Sequence, residues 1–329
     1  MNLSELVQKF STEIQATEFL EKTLWPDGPV CPHCGLVNEA YRLAPNRGTK
    51  THVRPGVWKC RGCHKQFTVK VGTIFEGSHI PLHKWLLVIH LLCSSKKGMS
   101  SHQIHRQIGI TYKSAWFMTH RIRYAMKQEG FHALLKGTVE VDETYVGGKL
   151  RTGPLATKPG ERPKDRLAVT ANKAPVVSLV ERGGKVRSMA IANVTAANLK
   201  QVLADNVEQT AHVMTDEALA YQFVATAYAR HSAVNHSEKE YSRLEADGTR
   251  VSTNMVESFF SLLKRGVYGS FHHISLQHLH RYLSEFDFRY NARGIDDGER
   301  RQLALKGVVG KRLTYYPSKT EGETDSVLD

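Results

Sequence analysis

The spacing of hydrophobic positions changes along this chain, and the changes divide it. Residues 1–26, MNLSELVQKFSTEIQATEFLEKTLWP, follow an amphipathic helical pattern with acidic residues among them. From 80 to 127 the helical period returns. Apolar residues recur through PLHKWLLVIHLLCSS, and KGMSSHQIHRQIGITYKSAWFMTHRIRYAMKQ then gives two periodic segments broken near Gly109. A Ser-led helix, a turn at 109–111 and a second helix carrying Lys113, Arg121 and Arg123 make the outline of a helix-turn-helix. A plain helical linker with a solvated basic face has the same outline.

After Gly137 the period becomes two. TVEVDETYVGG alternates around Val139, Val141, Thr144 and Val146, which predicts a strand with Asp142 near its centre. The next stretch, KLRTGPLATKPGERPKDR, has six basic residues against two acidic ones, punctuated by Gly and Pro. It reads as a basic loop, either a solvated linker or a contact for phosphates. APVVSLVERGGKVRSMAIANV predicts a hairpin turning at 182–184, and a helix follows from 195 to about 208. AHVMTDEALAYQFV then runs from a short strand into a helix, with Asp216 at the junction, where an Asp serves either as an N-cap or at a site on a sheet edge. Residues 231–250 are less regular.

The helix predicted in VSTNMVESFFSLLKRG, 251–266, has two chemically distinct sides. At 100° per residue Asn254, Glu257, Ser261 and Lys264 share an arc of about 80°, opposite Val256, Phe259, Phe260 and Leu263. Asn254 followed by Glu257 also resembles a capping box, so capping and chemistry both remain open for this face. Beyond it, YGSFHHISLQHLHRYLSEFDFRYNAR reads as a helix that packs Leu, Tyr and Phe. Its histidines at 272, 273, 278 and 280 lack a consistent ligand spacing.

Cysteine spacing adds a metal. Cys31 and Cys34 in CPHCG, and Cys60 and Cys63 in WKCRGCHKQF, form two knuckles separated by 25 residues, and four thiolates so paired are the ligand set of structural zinc. Cys93 lies in an apolar helical pattern and reads as a buried small hydrophobe, while His33 and His64 flank a coordination that is already complete.

Charge narrows the partner. Among 329 residues, 45 Lys and Arg face 32 Asp and Glu, for a net charge of +13, the balance of a protein that meets polyanions, with nucleic acid foremost. The longest apolar run, 85–93, is far short of the roughly 20 residues of a membrane span. The N-terminus lacks a signal-peptide pattern, so the expected location is the cytoplasm. An acid in mid-strand is disfavoured unless partnered, and Asp142, Asp216 and Glu257 brought together would repel one another yet suit two hard divalent cations about 3.5–4 Å apart.

Taken together, CPHCG, WKCRGCHKQFTVKVGTIFEGSHIPLHKWL, VEVDETYVGGK, VMTDEALAY, TNMVESFFSLLKRGVYGSFHHIS and LHRYLSEFDFRYNAR resemble, in this order and over nearly the whole chain, the DDE transposases of bacterial insertion sequences, specifically the zinc-ribbon-bearing ISXO-type group. The resemblance implies an α/β, ribonuclease-H-like catalytic core preceded by a zinc ribbon and a helix-turn-helix-like DNA-binding region. It implies an acidic triad of Asp142, Asp216 and Glu257 on two Mg²⁺ ions, for which Mn²⁺ substitutes, with Lys264 as the following cation. Asn254 competes with Glu257, because members with Asn as the third residue occur, and Ser252 stands where relatives often have His. The implied reaction is cleavage and strand transfer at element ends, with end and target DNA as partners and a homo-oligomer on DNA. Glu143, on the other side of the strand, is left out of the triad. A DNA-binding regulator with a decayed core and a ribonuclease-H-type nuclease are the alternatives. The expected divisions are an N-terminal helix at 1–25, the ribbon at 26–78, the helical region at 79–130, the catalytic domain at 131–312 and a flexible tail at 313–329.

Overall fold

Thr12 breaks the N-terminal amphipathic segment in two. Its side chain accepts the Gln15 amide while the Gln15 side chain accepts the Thr12 amide, so α1 (Leu3–Lys9) ends and α2 (Glu13–Leu24) begins where one helix was expected. The computed structural model describes residues 3–45, 53–127, 133–147, 173–221 and 227–315. The basic stretch expected as a loop and residues 316–329 of the expected tail lie outside the described residues; Leu313, at the start of that tail, is buried and accepts from Arg121. By contacts the chain forms two units, Met1–Gln128 with Ala292–Asp329, and Glu129–Asn291.

In the first unit, β1 (Ala40–Arg42), β2 (Trp58–Cys60) and β3 (Gln66–Phe67) make a small antiparallel sheet. Trp25 meets the rings of Trp58 and Phe67 edge-on, at 6.2 and 5.8 Å, and these rings pack against Cys31 and Cys60. Glu21, buried on α2, accepts from the Trp58 indole at 2.9 Å and from the Arg42 guanidinium, which ties the helix to the sheet.

Helix α3 (Leu82–Ser94) is apolar on most of its circumference and is buried accordingly, Cys93 included. Then α4 (Ser101–Ile108), capped by Ser100, stops at Gly109, whose φ of 62° is the left-handed conformation that glycine adopts freely. Thr111 caps α5 (Tyr112–Met126). The helix-turn-helix outline is therefore present, but its basic face is not the expected one. Arg121 and Arg123 are buried: Arg121 donates to the carbonyls of Glu76 and Leu313, and Arg123 donates to the Thr119 hydroxyl. Lys113, near the start of α5, is exposed with its ammonium 4.6 Å from the Tyr315 ring centre.

The second unit is a five-stranded mixed sheet. Strands β4 (Thr138–Gly147), β5 (Lys173–Glu181), β6 (Val186–Ala190), β7 (His212–Asp216) and β8 (Arg230–Val234) lie in the order β6-β5-β4-β7-β8. The first three pair antiparallel, and β7 and β8 join parallel to β4. This order and its one reversed strand are the ribonuclease-H-like arrangement. Helix α6 (Ala196–Asn206) covers one face, with Leu199, Val202 and Leu203 on Val139, Val141, Val177 and Leu179. Helices α7 (Asn254–Gly266) and α8 (Leu279–Asn291) cover the other, with Val256, Phe259, Phe260, Leu263 and Phe286 on Val146, Val176 and Val180. Each of these large side chains stabilises the unit by about 1.5–3 kcal/mol through burial.

The segment 231–250 is more ordered than its sequence suggests. It contains most of β8 and a two-stranded hairpin of β9 (Arg243–Leu244) and β10 (Arg250–Val251). The histidine-rich stretch is less so, since a π-helical turn (Val267–Phe271) and His272 at φ 61° intervene before α8 begins. Two α8 side chains satisfy the open edge of β6. Asp287 accepts from the Ser188 amide at 2.8 Å, and Asn291 both accepts from the Val186 amide and donates to its carbonyl.

After α8 the chain returns to the first unit, so 292–312 packs there and not in the catalytic region to which its sequence was assigned. Helix α9 (Asp297–Lys306), started by an Asp296–Glu299 capping box, lies against α2, α3 and α5.

Candidate functional site

Three acids converge at one end of the mixed sheet. The register pairs Val139 with Val213 and Glu140 with Met214, and Asp142 and Asp216 each lie two residues beyond that last pair, Asp216 as the last residue of β7. Adjacent strands run about 4.8 Å apart, so the two carboxylates are neighbours. Burial, then the charge of Glu143, push Asp142 up to about 7; Asp216 and Glu257 add to the push, and the Glu143 amide, donating to Asp142 Oδ1 at 2.7 Å, opposes it. Asp216 is also raised, by burial first and then by Glu217, against hydrogen bonding from the Ala218 amide and the charge of His236. Glu257 enters from the first turn of α7.

The capping-box reading of Asn254 and Glu257 is overturned. The N-cap is Thr253, its side chain makes no cap bond to the helix backbone, and its hydroxyl donates to Glu257 Oε1 at 2.9 Å. His236 Nε2 lies 3.3 Å from the same oxygen and 3.2 Å from the Thr253 hydroxyl. Glu217 fixes His236 in turn, accepting from the His236 amide at 2.7 Å and from the Ser237 amide and hydroxyl. Asn254 is exposed at the start of the helix, and Lys264 is exposed two turns beyond Glu257 on the same side, about 10 Å along the axis. Ser252 is buried and accepts from Arg182 at 2.8 Å.

Glu143 points to the opposite face, where the Tyr221 hydroxyl donates to it at 2.6 Å. Burial raises it, the charge of Asp216 contributes, and the Tyr221 bond counteracts. Sequence reasoning missed His236, Thr253 and Glu140. His236 sits in the stretch read as irregular and carried no signal. Glu140 carried one: it is an acid two residues before Asp142 in the same alternating strand.

The donor set suits divalent cations. Asp142, desolvated and pushed up by the charges of Asp216 and Glu257 among others, needs positive charge nearby to ionise beside them, and oxygen ligands suit Mg²⁺. Among the described residues, the only group of three or more potential ligand atoms all within 4.8 Å of one another is Cys31, Cys34, Cys60 and Cys63. The cysteine sulfurs fit zinc: a tetrahedron with Zn–S of about 2.3 Å puts sulfurs about 3.8 Å apart, and Cys31–Cys63 and Cys34–Cys60 are each 3.6 Å apart. His33 and His64 are both exposed beside it.

Comparison with known proteins gives the class. Residues 134–291 match the ISXO2-like transposase domain, and residues 11–66 match a transposase zinc-ribbon domain. The chain is a DDE transposase. Within that class it belongs to the zinc-ribbon-bearing, ISXO2-like group, and its ribbon with four clustered cysteines is a structural zinc site. An uncharacterized protein in transposable element ISH50 of Halobacterium salinarum is 28% identical over 290 residues, covering 86% of this chain and 92% of that protein. Among solved structures, the pre-cleavage Mos1 transpososome aligns with 67% of this chain and 73% of its own at 11% identity, and the Mos1 strand transfer complex covers the same shares at 12%. Both have a TM-score of 0.27. Among the described residues no helix is long and apolar enough to cross a membrane.

Proposed function

We propose that this transposase cleaves DNA at the ends of its insertion sequence and joins the freed 3′ ends to target DNA, using Asp142, Asp216 and Glu257 to hold two Mg²⁺ ions. The observation that carries this reading is the meeting of three carboxylates from β4, β7 and α7, with Asp142 pushed up to about 7 by burial and by its neighbours. Bound divalent ions would supply Lewis acidity, sharpening the attacking water or 3′-hydroxyl and offsetting charge on the leaving oxygen.

The protein's own side chains do the positioning. Asp142 and Asp216 hold fixed places on neighbouring strands. Thr253 and His236 both contact Glu257 Oε1, which orients the carboxylate and leaves Oε2 for an ion. Glu257 is preferred to Asn254 as the third ligand because its charge reaches Asp142 and its carboxylate is held by Thr253 and His236, whereas Asn254 is exposed at the start of the helix. Lys264, exposed along the same helix side, suits a phosphate close to the scissile one. The zinc ribbon and the start of α5, with Tyr112 and Lys113 exposed, are the surfaces assigned to end recognition. Synapsis of two ends calls for a dimer or larger assembly, which light scattering of the end-DNA complex measures; a monomeric cleaving complex would contradict it.

The test is cleavage of element-end duplexes in Mg²⁺. Asp142→Ala and Asp216→Ala are expected to abolish cleavage with end binding retained. Cleavage persisting in both variants would overturn the assignment. Cutting of RNA–DNA hybrids without action on element ends would favour a ribonuclease-H-type nuclease.

A further inference from the structure

Glu140 is fully buried, on the side of β4 that also carries Asp142, and its carboxylate ties that strand to the segment bearing Glu257, directly and through Arg182. Oε2 accepts from the amides of Met255 at 2.7 Å and Val256 at 3.3 Å, the donors that a helix N-terminus leaves free. Oε1 accepts from Arg182 Nε at 2.8 Å. Arg182, just past the end of β5, then spends its remaining donors on the strand entering the helix: the carbonyls of Arg250 at 2.5 Å and Ser252 at 3.2 Å, and the Ser252 hydroxyl at 2.8 Å. An ordinary N-cap would serve α7 with its own Thr253, yet that hydroxyl is turned to Glu257. The cap has been transferred to a strand residue one pleat from Asp142.

We infer that Glu140 and Arg182 are positioning residues that set the separation of Asp142 and Glu257, and with it the spacing of the divalent ions. The inference rests on the acidic site proposed above. A helix held only by apolar packing can slide or rock by fractions of an ångström. Two hydrogen bonds from backbone amides and an ion pair to a buried carboxylate, all anchored on β4, remove that freedom at the turn from which Glu257 projects.

The test is Mn²⁺ binding to the full-length protein, followed by electron paramagnetic resonance at a temperature well below the melt of each variant. Circular dichroism reports whether each variant is folded. Glu140→Gln keeps shape and one acceptor but loses the charge, and the double variant Glu140→Gln with Arg182→Gln removes both charges, so neither is left buried alone. Both are expected to bind Mn²⁺ at least tenfold more weakly, with kcat for end cleavage falling and affinity for end DNA unchanged. Wild-type Mn²⁺ affinity in the folded double variant would overturn the inference. Asp142→Ala separates the two readings: if it also binds Mn²⁺ like wild type, the acidic site itself is wrong, whereas its loss of binding beside unchanged Glu140 variants sinks only the positioning role.

Discussion

Asp142→Asn should make the metal-free protein more stable at pH 8 while destroying cleavage. Asp142 is held at about 7 in the fold, against an ordinary carboxylate near 3.8. Between those two values the folded chain binds a proton that the unfolded chain has released, so the stability from this group is present below about pH 4 and is lost as pH rises to 7. At about 1.4 kcal/mol per pH unit, three units amount to about 4 kcal/mol as an upper bound, which water entering the site reduces. Asn cannot ionise and escapes the penalty. Its gain over wild type should therefore be about a quarter of its full size at pH 4.5 and reach about 1–3 kcal/mol at pH 8, on the order of 5 °C in Tm for a unit of this size. The assay is thermal melting of both proteins in EDTA across pH 4.5–8, taken as a difference so that shared histidine titrations cancel. Adding Mg²⁺ should reverse the order, since only wild type gains by binding it. A difference that does not change with pH, or an Asn variant less stable at pH 8, would refute the electrostatic reasoning.

Three other outcomes follow from the fold. Wild-type protein should carry one zinc per chain by elemental analysis, and Cys60→Ser should lose it and lower end-DNA affinity while leaving Mn²⁺ binding at the acids intact. Arg121→Ala should cost on the order of 3 kcal/mol in denaturant melts by orphaning the Glu76 and Leu313 carbonyls, whereas Lys113→Ala should leave stability within about 0.5 kcal/mol and weaken DNA binding in gel shifts. Gly307→Ala would put a methyl 2.3 Å from the Ala125 carbonyl oxygen and should destabilise the first unit by about 2 kcal/mol or more; an unchanged melt would show that α9 can shift.

The legible parts of this protein are those written in local periodicity or in fixed ligand spacing. The two cysteine pairs, the alternation around Asp142, the short strand that ends at Asp216 and the two-sided pattern of 254–264 each point to the element that is found there. What local pattern lacked was the information held in tertiary partners. Arg121 and Arg123 look like a basic recognition face because one chain cannot reveal that distant carbonyls and a neighbouring hydroxyl receive them inside the unit. Asn254 and Glu257 look like a capping box because the competing cap, Glu140, lies more than a hundred residues earlier. His236 was hidden for a similar reason: its role depends on Glu217 and Thr253 converging on it from two other segments. The return of 292–312 to the first unit is likewise a matter of packing, carried by an α9 surface whose own pattern does not say which partner it meets.

The central claim is that Asp142, Asp216 and Glu257 share the catalytic ions. A crystal structure of the protein on element-end DNA with Mn²⁺, phased to show anomalous density, tests it most directly. Two manganese peaks about 3.5–4 Å apart, bounded by these three carboxylates with Asn254 turned to solvent, are the predicted result. Peaks ligated by Asn254 with Glu257 outside contact distance, or no density between Asp142 and Asp216, would contradict it.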